Sequence, residues 1–226
     1  MLLLAGCGSL VHHKVQKGDT LYSIGWRYGQ DAKEIAEWND LKTPYVIHQG
    51  QMLRIAPLPD KSNPSMIQAV RSQQQGSSTP SSPRSNSPSV SQSQKSSAKA
   101  GVGPVVWGWP AKGLLINTFS AKKLDRKGID IGGKTGTPVR AAARGKVVYS
   151  GSGLTRYGNL LIIKHNESFL SAYAHNDKLL VKEGESVSQG QKIAAMGSTG
   201  SDRVMLHFEI RYNGKPVDPQ RYLPKR

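Results

Sequence analysis

The sequence predicts an α+β protein in which a polar linker joins two folded segments. Between residues 13 and 55, apolar residues recur at helical spacing, whereas short runs rich in Val, Ile, Leu and Tyr dominate from residue 107 onward. Ser, Gln, Pro and Gly fill residues 61–103, which hold too few aliphatic residues to bury an apolar core. We therefore expect a small N-terminal module, a disordered linker over residues 58–103 and a mostly antiparallel β domain.

The first residues have the form of a lipobox, the short motif at which a bacterial lipoprotein signal is cleaved. In Leu4-Ala5-Gly6-Cys7, small residues precede a cysteine that would be acylated. Only six residues precede Cys7, which is too short for a complete signal peptide, so we expect the natural start to lie upstream. Residues 1–7 are interpreted as a truncated signal and Cys7 as a lipidation site; an unmodified thiol at a chance apolar N-terminus is the alternative.

The N-terminal module is expected over residues 12–57 and begins with a short strand and a helix. Leu21, Ile24 and Tyr28 recur at helical spacing and follow Asp19-Thr20, either of which can cap a helix. The first helix is therefore predicted to start close to residue 20.

A second helix and a closing strand complete the module. Gly29 is placed to end the first helix, and Asp31 and Glu34 have the spacing of a capping box. Ile35 and Trp38 then share the inner face of the second helix. Short β-prone runs at residues 14–16 and 52–55 flank the helix pair, which predicts the order strand, helix, helix, strand.

This module carries the motifs VQKGDTLYSI at residues 15–24, WND at 38–40 and IHQGQMLRI at 47–55. This set of motifs resembles the LysM family. It implies binding of glycans that contain N-acetylglucosamine, here peptidoglycan, in a shallow groove between the two strand–helix loops. The residues expected to line this groove are Gly18, Asp19, Thr20, Leu21, Asn39, Tyr45, Val46 and Ile47. For Leu21 and Ile47, packing in the core is an equal alternative.

Charge and linker length suggest how the two segments are used. The net charge of +16 is concentrated in residues 104–226, which carry +11, and this excess favours an anionic partner. The Lys and Arg residues are scattered and no nucleic-acid-reading motif is present, which argues against nucleic acid. A flexible linker of this length has an r.m.s. span of about 35–40 Å, so we expect the C-terminal domain to search for a partner while the anchored module stays in place.

The C-terminal domain, residues 104–226, is expected to be mostly antiparallel β. The predicted strands are residues 147–149, 160–164, 170–174, 192–195 and 206–212. Alternation places Leu206, Phe208 and Ile210 on the buried face and Met205, His207 and Glu209 on the opposite face. By the same rule, Ser171, Tyr173 and His175 point together.

This domain carries the motifs GIDIGGKTGTPVRAAARGKVV at 128–148, YGNLLIIKH at 157–165, YAH at 173–175, VSQGQKIAAMGSTG at 187–200 and LHFEIR at 206–211. With these motifs it resembles the lysostaphin/LytM-type zinc metallopeptidase family across nearly all of residues 107–223. In active members, an H-x-x-x-D pair and the second His of an H-x-H strand hold zinc. The YAH histidine and the first His of H-x-H act in catalysis.

This chain departs from that pattern at two positions. Asp130, His175 and His207 are present, but Arg126 stands at the first zinc-ligand position and Met205 at the first His of H-x-H. A guanidinium cannot deprotonate and a thioether cannot transfer a proton, so the resemblance implies a degenerate site without zinc, cofactor or hydrolytic activity. We expect Arg126 to pair with Asp130 instead. The groove is expected to persist as a partner-binding surface formed by Arg126, Asp130, Tyr173, His175, Met205 and His207.

The combination of lipobox, LysM module, linker and degenerate domain resembles the NlpD group of lipoproteins. The resemblance implies an outer-membrane lipoprotein that faces the periplasm of a Gram-negative cell. It further implies that the chain binds peptidoglycan and activates a periplasmic N-acetylmuramyl-L-alanine amidase during cell separation. Two alternatives are an active zinc endopeptidase with an unrecognised ligand and a passive peptidoglycan tether.

Overall fold

The structure describes three stretches of the chain, which contain both folded segments that the sequence predicts. A computed structural model describes residues 12–57, 104–122 and 126–225. The predicted linker, residues 58–103, and the predicted lipidation site Cys7 lie outside the described residues. None of the helices in the described stretches is both long enough and apolar enough to cross a membrane.

The N-terminal module has the predicted order of elements. Strand β1 (His12–Lys14) pairs antiparallel with β2 (Met52–Arg54) and closes a two-stranded sheet. Helices α1 (Leu21–Tyr28) and α2 (Ala32–Trp38) lie between these strands in sequence. A core of Val15, Leu21, Ile24, Ala32, Ile35, Ala36, Leu53 and Ile55 holds the module together.

The helix boundaries confirm the capping signals in the sequence. The hydroxyl of Thr20 accepts a hydrogen bond from the backbone N–H of Ser23, so Thr20 is the N-cap of α1. Gly29 ends that helix in the left-handed conformation, with φ of 68°. The capping box of Asp31 and Glu34 opens α2. Local polar chemistry therefore fixes both short helices.

The C-terminal domain is built from ten strands within the described stretches, and every described pair is antiparallel. These strands are β3 (Leu115–Asn117), β4 (Ile129–Gly132), β5 (Pro138–Arg140), β6 (Gly145–Gly151), β7 (Asn159–Lys164), β8 (Phe169–Leu179), β9 (Ser186–Val187), β10 (Lys192–Met196), β11 (Met205–Tyr212) and β12 (Lys215–Val217). Their main order across the sheet is β3-β4-β11-β8-β7-β6-β9, while β10 pairs with β5 and β8, and β12 pairs with β11. The prediction of a mostly antiparallel β domain is confirmed.

One face of the long strands packs into the main core of this domain. Leu206, Phe208 and Ile210 of β11 are fully buried there, as alternation predicts. The opposite face of β6, β7 and β8 carries a second apolar cluster, which contains Leu160, Ile162, Ala172, Ala174 and, from the N-terminal module, Trp26.

The two modules pack against each other and form one compact unit. Trp26 of α1 is only 3% exposed because it lies against the second apolar cluster of the C-terminal domain. The guanidinium of Arg211 stacks 3.5 Å from the Trp26 ring centroid and donates a hydrogen bond of 2.9 Å to its carbonyl. The expectation that the C-terminal domain searches freely therefore does not describe this structure, in which the modules are docked.

Candidate functional site

Two of the predicted site residues, Asp130 and His207, meet where β4 and β11 lie side by side. Asp130 of β4 is the cross-strand partner of His207 of β11, so both side chains project from the same face. His207 Nδ1 lies 2.6 Å from Asp130 Oδ1. The other carboxylate oxygen of Asp130 accepts a hydrogen bond of 2.8 Å from the side-chain amide of Asn117 on β3. Both oxygens of Asp130 are thus used within the domain.

The strand β11 extends this polar site toward the N-terminal module. His207 Nε2 lies 3.2 Å from Glu209 Oε1, and Glu209 Oε2 accepts a hydrogen bond of 3.1 Å from Arg211 Nε. The hydroxyl of Tyr157 donates to the same Glu209 at 2.8 Å. Glu209 and Arg211 are 0% and 1% exposed, so this row is buried and every charge in it is paired.

Sequence reasoning assigned no role to Asn117, Tyr157, Glu209 and Arg211. Strand alternation could have identified Glu209 and Arg211, because both share one face of β11 with His207. Asn117 and Tyr157 come from distant segments, and only the tertiary fold brings them to the site.

His175 reaches the site through a local reversal of the backbone. Its φ of 64° is left-handed, which interrupts the alternation of β8. The ring therefore turns toward His207, with 6.0 Å between the ring centroids, and its Nδ1 lies 2.9 Å from the carbonyl of Thr199. His175 and His207 are brought together as predicted.

Tyr173 does not line the site with them, so its prediction as a surface residue is wrong. It is fully buried in the main core, with its ring centroid 5.3 Å from that of its cross-strand partner Phe208. The Tyr173 hydroxyl accepts hydrogen bonds from Ala142 N and Ser171 Oγ. Regular alternation points residue 173 into the core, and the prediction failed because the backbone reverses only at His175.

Arg126 and Met205, the two departures from the peptidase pattern, take no part in the hydrogen bonds described for the site. Arg126 is half-buried just before β4, and the expected ion pair with Asp130 is not formed, since His207 and Asn117 occupy both carboxylate oxygens. Among the residues that the structure describes, Arg126 forms no ion pair. Met205 is half-buried two residues before His207.

The two histidines of the site have pKa values shifted in opposite directions. Burial alone would lower the pKa of His207, but hydrogen bonds from its ring to Asp130 and Glu209 raise that pKa to about 9. Burial is the main cause that lowers the pKa of His175. At neutral pH His207 is therefore an imidazolium that donates from both ring nitrogens, while His175 is neutral.

The donor set does not fit a catalytic zinc ion. Such a site needs three protein ligands, and a ligating histidine must be neutral. Here only Asp130 and His207 remain at the ligand positions of the peptidase pattern, and they bond to each other. Arg126 stands at the third position in the sequence, and its guanidinium cannot deprotonate to bind zinc. In the described stretches, no group of three or more His, Cys, Asp or Glu side chains has a geometry that could hold a metal ion.

The residues predicted to bind glycan fall into two groups. Gly18 and Val46 are exposed, while Tyr45 and Ile47 are half-buried and pack against the module core. The others have structural roles. Leu21 is core, Asn39 bonds to the backbone of α2 and β2, Asp19 holds His13 at 2.8 Å, and Thr20 caps α1.

Comparison with protein families supports both predicted modules. Residues 13–56 match the LysM domain, and residues 125–219 match Peptidase family M23. The resemblances drawn from the sequence are thereby confirmed.

Several curated proteins are similar to the chain over nearly its whole length. A lipoprotein NlpD/LppB homolog from Pseudomonas aeruginosa is 48% identical, and the match covers 94% of this chain and 76% of that protein. The uncharacterized lipoprotein YgeR of Escherichia coli is 43% identical over 99% of this chain and 89% of that protein. Murein hydrolase activator NlpD of Escherichia coli is 38% identical over 95% and 68%, respectively.

Proposed function

Because the chain belongs to the NlpD/LppB lipoprotein family, we propose that it binds peptidoglycan and activates a periplasmic N-acetylmuramyl-L-alanine amidase without cutting the wall itself. The LysM module supplies the wall binding. The M23-type domain supplies the contact with the amidase.

The bond between Asp130 and His207 is the observation that carries the non-catalytic part of this proposal. Residues at two zinc-ligand positions of the peptidase pattern form an internal hydrogen bond of 2.6 Å. That bond, together with Glu209 on the other ring nitrogen, holds His207 in its charged form. A site stabilised in this way keeps its shape without metal, and shape is what a binding surface requires.

Arg126 supports the activating part of the proposal. Arg126 precedes Asp130 by four residues and has no ionic partner in the described stretches, and its domain carries an excess charge of +11 in the sequence. An acidic segment of an amidase would supply that partner. If the segment holds the amidase closed, its capture shifts the amidase toward its open state.

The LysM part of the proposal uses the surface residues at the two loop tips. Gly18 has nothing within 4 Å of the position where a Cβ would stand, so a sugar can approach its backbone closely. Val46, at 60% exposure, offers an apolar contact for the methyl of an acetamido group. These properties suit a shallow glycan groove.

Release of dye from labelled peptidoglycan tests the activation. The chain alone should release none, and the chain added to a cognate amidase should raise release by about 5- to 150-fold, the usual range of an allosteric coupling. A chain shortened to residues 1–57 should still sediment with peptidoglycan but should not stimulate.

The same assay separates the alternatives. Hydrolysis by the chain alone, with one tightly held zinc per chain in elemental analysis, would establish an endopeptidase instead. If a saturating concentration of the chain leaves the amidase rate unchanged while wall binding is intact, the chain is a passive peptidoglycan tether.

We also propose that Cys7 is acylated and anchors the chain in the outer membrane, facing the periplasm. The lipobox Leu4-Ala5-Gly6-Cys7 and the lipoprotein names of the relatives support this. When the chain is expressed with a complete signal, the Cys7→Ser form should move from the membrane fraction to the soluble periplasmic fraction. Equal membrane association of both forms would refute the anchor.

A further inference from the structure

The sheet face that carries the site also carries the apolar patch beneath the LysM module. His207 pairs across the strands with Ala174, and Glu209 pairs with Ala172, so all four side chains project from one face. Ile162 of β7 is the next cross-strand partner of Ala172. The site and the patch are therefore continuous.

Helix α1 of the LysM module covers this face right up to the site. Trp26 packs on the patch, and its ring centroid lies 6.4 Å from that of Tyr157. The Tyr157 ring in turn lies 6.1 Å from His207. Arg211 joins Glu209 to the carbonyl of Trp26. A partner that docks on this face around His207 meets the LysM helix.

Three hydrogen bonds at the edge of the contact between the modules are donated by side chains to backbone carbonyls. Thr20 Oγ1 donates to the carbonyl of Val148 at 3.1 Å, and Arg27 donates to the carbonyl of Gly153 at 3.3 Å. Lys215 of the C-terminal domain donates to the carbonyl of Gly29 at 2.8 Å. Water can replace each of these bonds when the modules part, so docking is reversible in principle.

The glycan-binding loops take part in the same contact. Thr20 belongs to the first loop of the expected groove and is bonded to Val148. Tyr45 belongs to the second loop and lines, with Tyr22 and Lys164, a shallow pocket between the module and the domain. A glycan that fills the groove therefore meets the C-terminal domain on both sides.

We propose that the LysM module acts as a cover over the amidase-binding face. When the module is docked it blocks this face, and glycan binding displaces the module. This regulation rests on the proposed function, since it acts on the same face. The two ligands, glycan and amidase, then favour the same undocked state and bind cooperatively. Activation becomes confined to chains that are already on the wall.

Gly214 allows the cover to be opened without altering either core. A Cβ at this turn position would lie 2.6 Å from Asp31 N and 2.7 Å from the carbonyl carbon of Gln30, both backbone atoms of the LysM module. Its φ of 71° is one that asparagine tolerates. The side chain of Gly214→Asn would therefore clash with the LysM backbone and push the two modules apart. Gly190 is a matched control, since its φ is 78° and nothing lies within 4 Å of its Cβ position.

Three measurements on the full chain test the proposal. Small-angle scattering should show a compact wild type that expands on addition of the N-acetylglucosamine tetramer, and a Gly214→Asn chain that is expanded without it. By calorimetry, Gly214→Asn should bind the tetramer roughly tenfold more tightly if nine-tenths of the wild type is docked. Without tetramer or peptidoglycan, it should bind the amidase about tenfold more tightly than the wild type does, and Gly190→Asn should match wild type throughout.

Lys215→Glu provides a second way to open the contact, because it removes a donor without adding a steric clash. It should shift scattering and tetramer affinity in the same direction, whereas Lys192→Glu, at an exposed lysine of β10, should not. A wild type that is already expanded, or expanded variants with wild-type tetramer affinity and activation, would overturn the cover. If no chain stimulates the amidase, the proposed function fails, while scattering and tetramer affinity still decide whether glycan releases the module.

Discussion

Arg126→Glu is expected to abolish amidase activation at chain concentrations where the wild type is half-maximal, while leaving the fold and peptidoglycan binding intact. Arg126 is half-buried four residues before Asp130 and forms no ion pair within the described stretches, so its charge is available to an acidic partner. Reversing a charge at such a contact costs about 2–5 kcal/mol of binding. Half-maximal activation should therefore need at least about 30-fold more chain.

Two further variants make the Arg126 result specific. Arg144→Glu makes the same charge change at an exposed position of the same domain and should activate like wild type. Arg126→Lys keeps the positive charge but loses the planar guanidinium, which can donate two hydrogen bonds to one carboxylate, so partial activation is expected. Circular dichroism and sedimentation with peptidoglycan establish that each variant is folded. Wild-type activation by Arg126→Glu would show that the amidase docks elsewhere.

Tyr173→Ala is unsuitable as a test of the amidase contact, because Tyr173 belongs to the core.

Arg211→Met should lower the free energy of unfolding by about 3–5 kcal/mol. Glu209 and Arg211 form a fully buried ion pair, and removal of one partner leaves the other charge buried and only partly compensated. The substitution also removes the stacking on Trp26 and the hydrogen bond to its carbonyl, which hold the two modules together. Urea unfolding followed by tryptophan fluorescence measures the loss.

An exposed ion pair supplies the comparison for Arg211. Lys33 and Glu37 lie 4.0 Å apart on the surface of α2, so Lys33→Met should change stability by less than about 1 kcal/mol. The double variant Glu209→Gln with Arg211→Met should recover part of the loss, because neither buried charge then remains unpaired. A cost below about 1 kcal/mol for Arg211→Met alone would mean that the buried pair contributes little.

Local signals in the sequence were sufficient for most of the fold. Thr20 and Gly29 mark the two ends of the first helix. Each acts through contacts within a few residues of the chain, so the sequence pattern is enough to predict them. Alternation correctly placed His207 and Glu209 on the face opposite Phe208. The M23-type motifs named Asp130, His175 and His207, whose side chains the structure brings together.

The failures came where a single backbone angle or a distant contact decides the outcome. The left-handed φ at His175 reverses alternation at that one position, which separates His175 from Tyr173. Asp130 bonds to His207 rather than Arg126 because cross-strand pairing, set by the whole sheet, brings His207 closer. The docking of Trp26 on Arg211 joins residues 185 positions apart, and no periodicity in either segment encodes it.

The contact between Trp26 and Arg211 also bears on how such chains can be assembled in evolution. Modules that bind wall glycan recur as interchangeable parts, and a recombination event can exchange one for another and keep wall attachment. Here the helix of the module also carries the tryptophan that fits one arginine of its neighbour. A substituted module without this tryptophan would attach the chain to the wall yet leave the sheet face bare, so wall attachment alone does not preserve the contact between the modules.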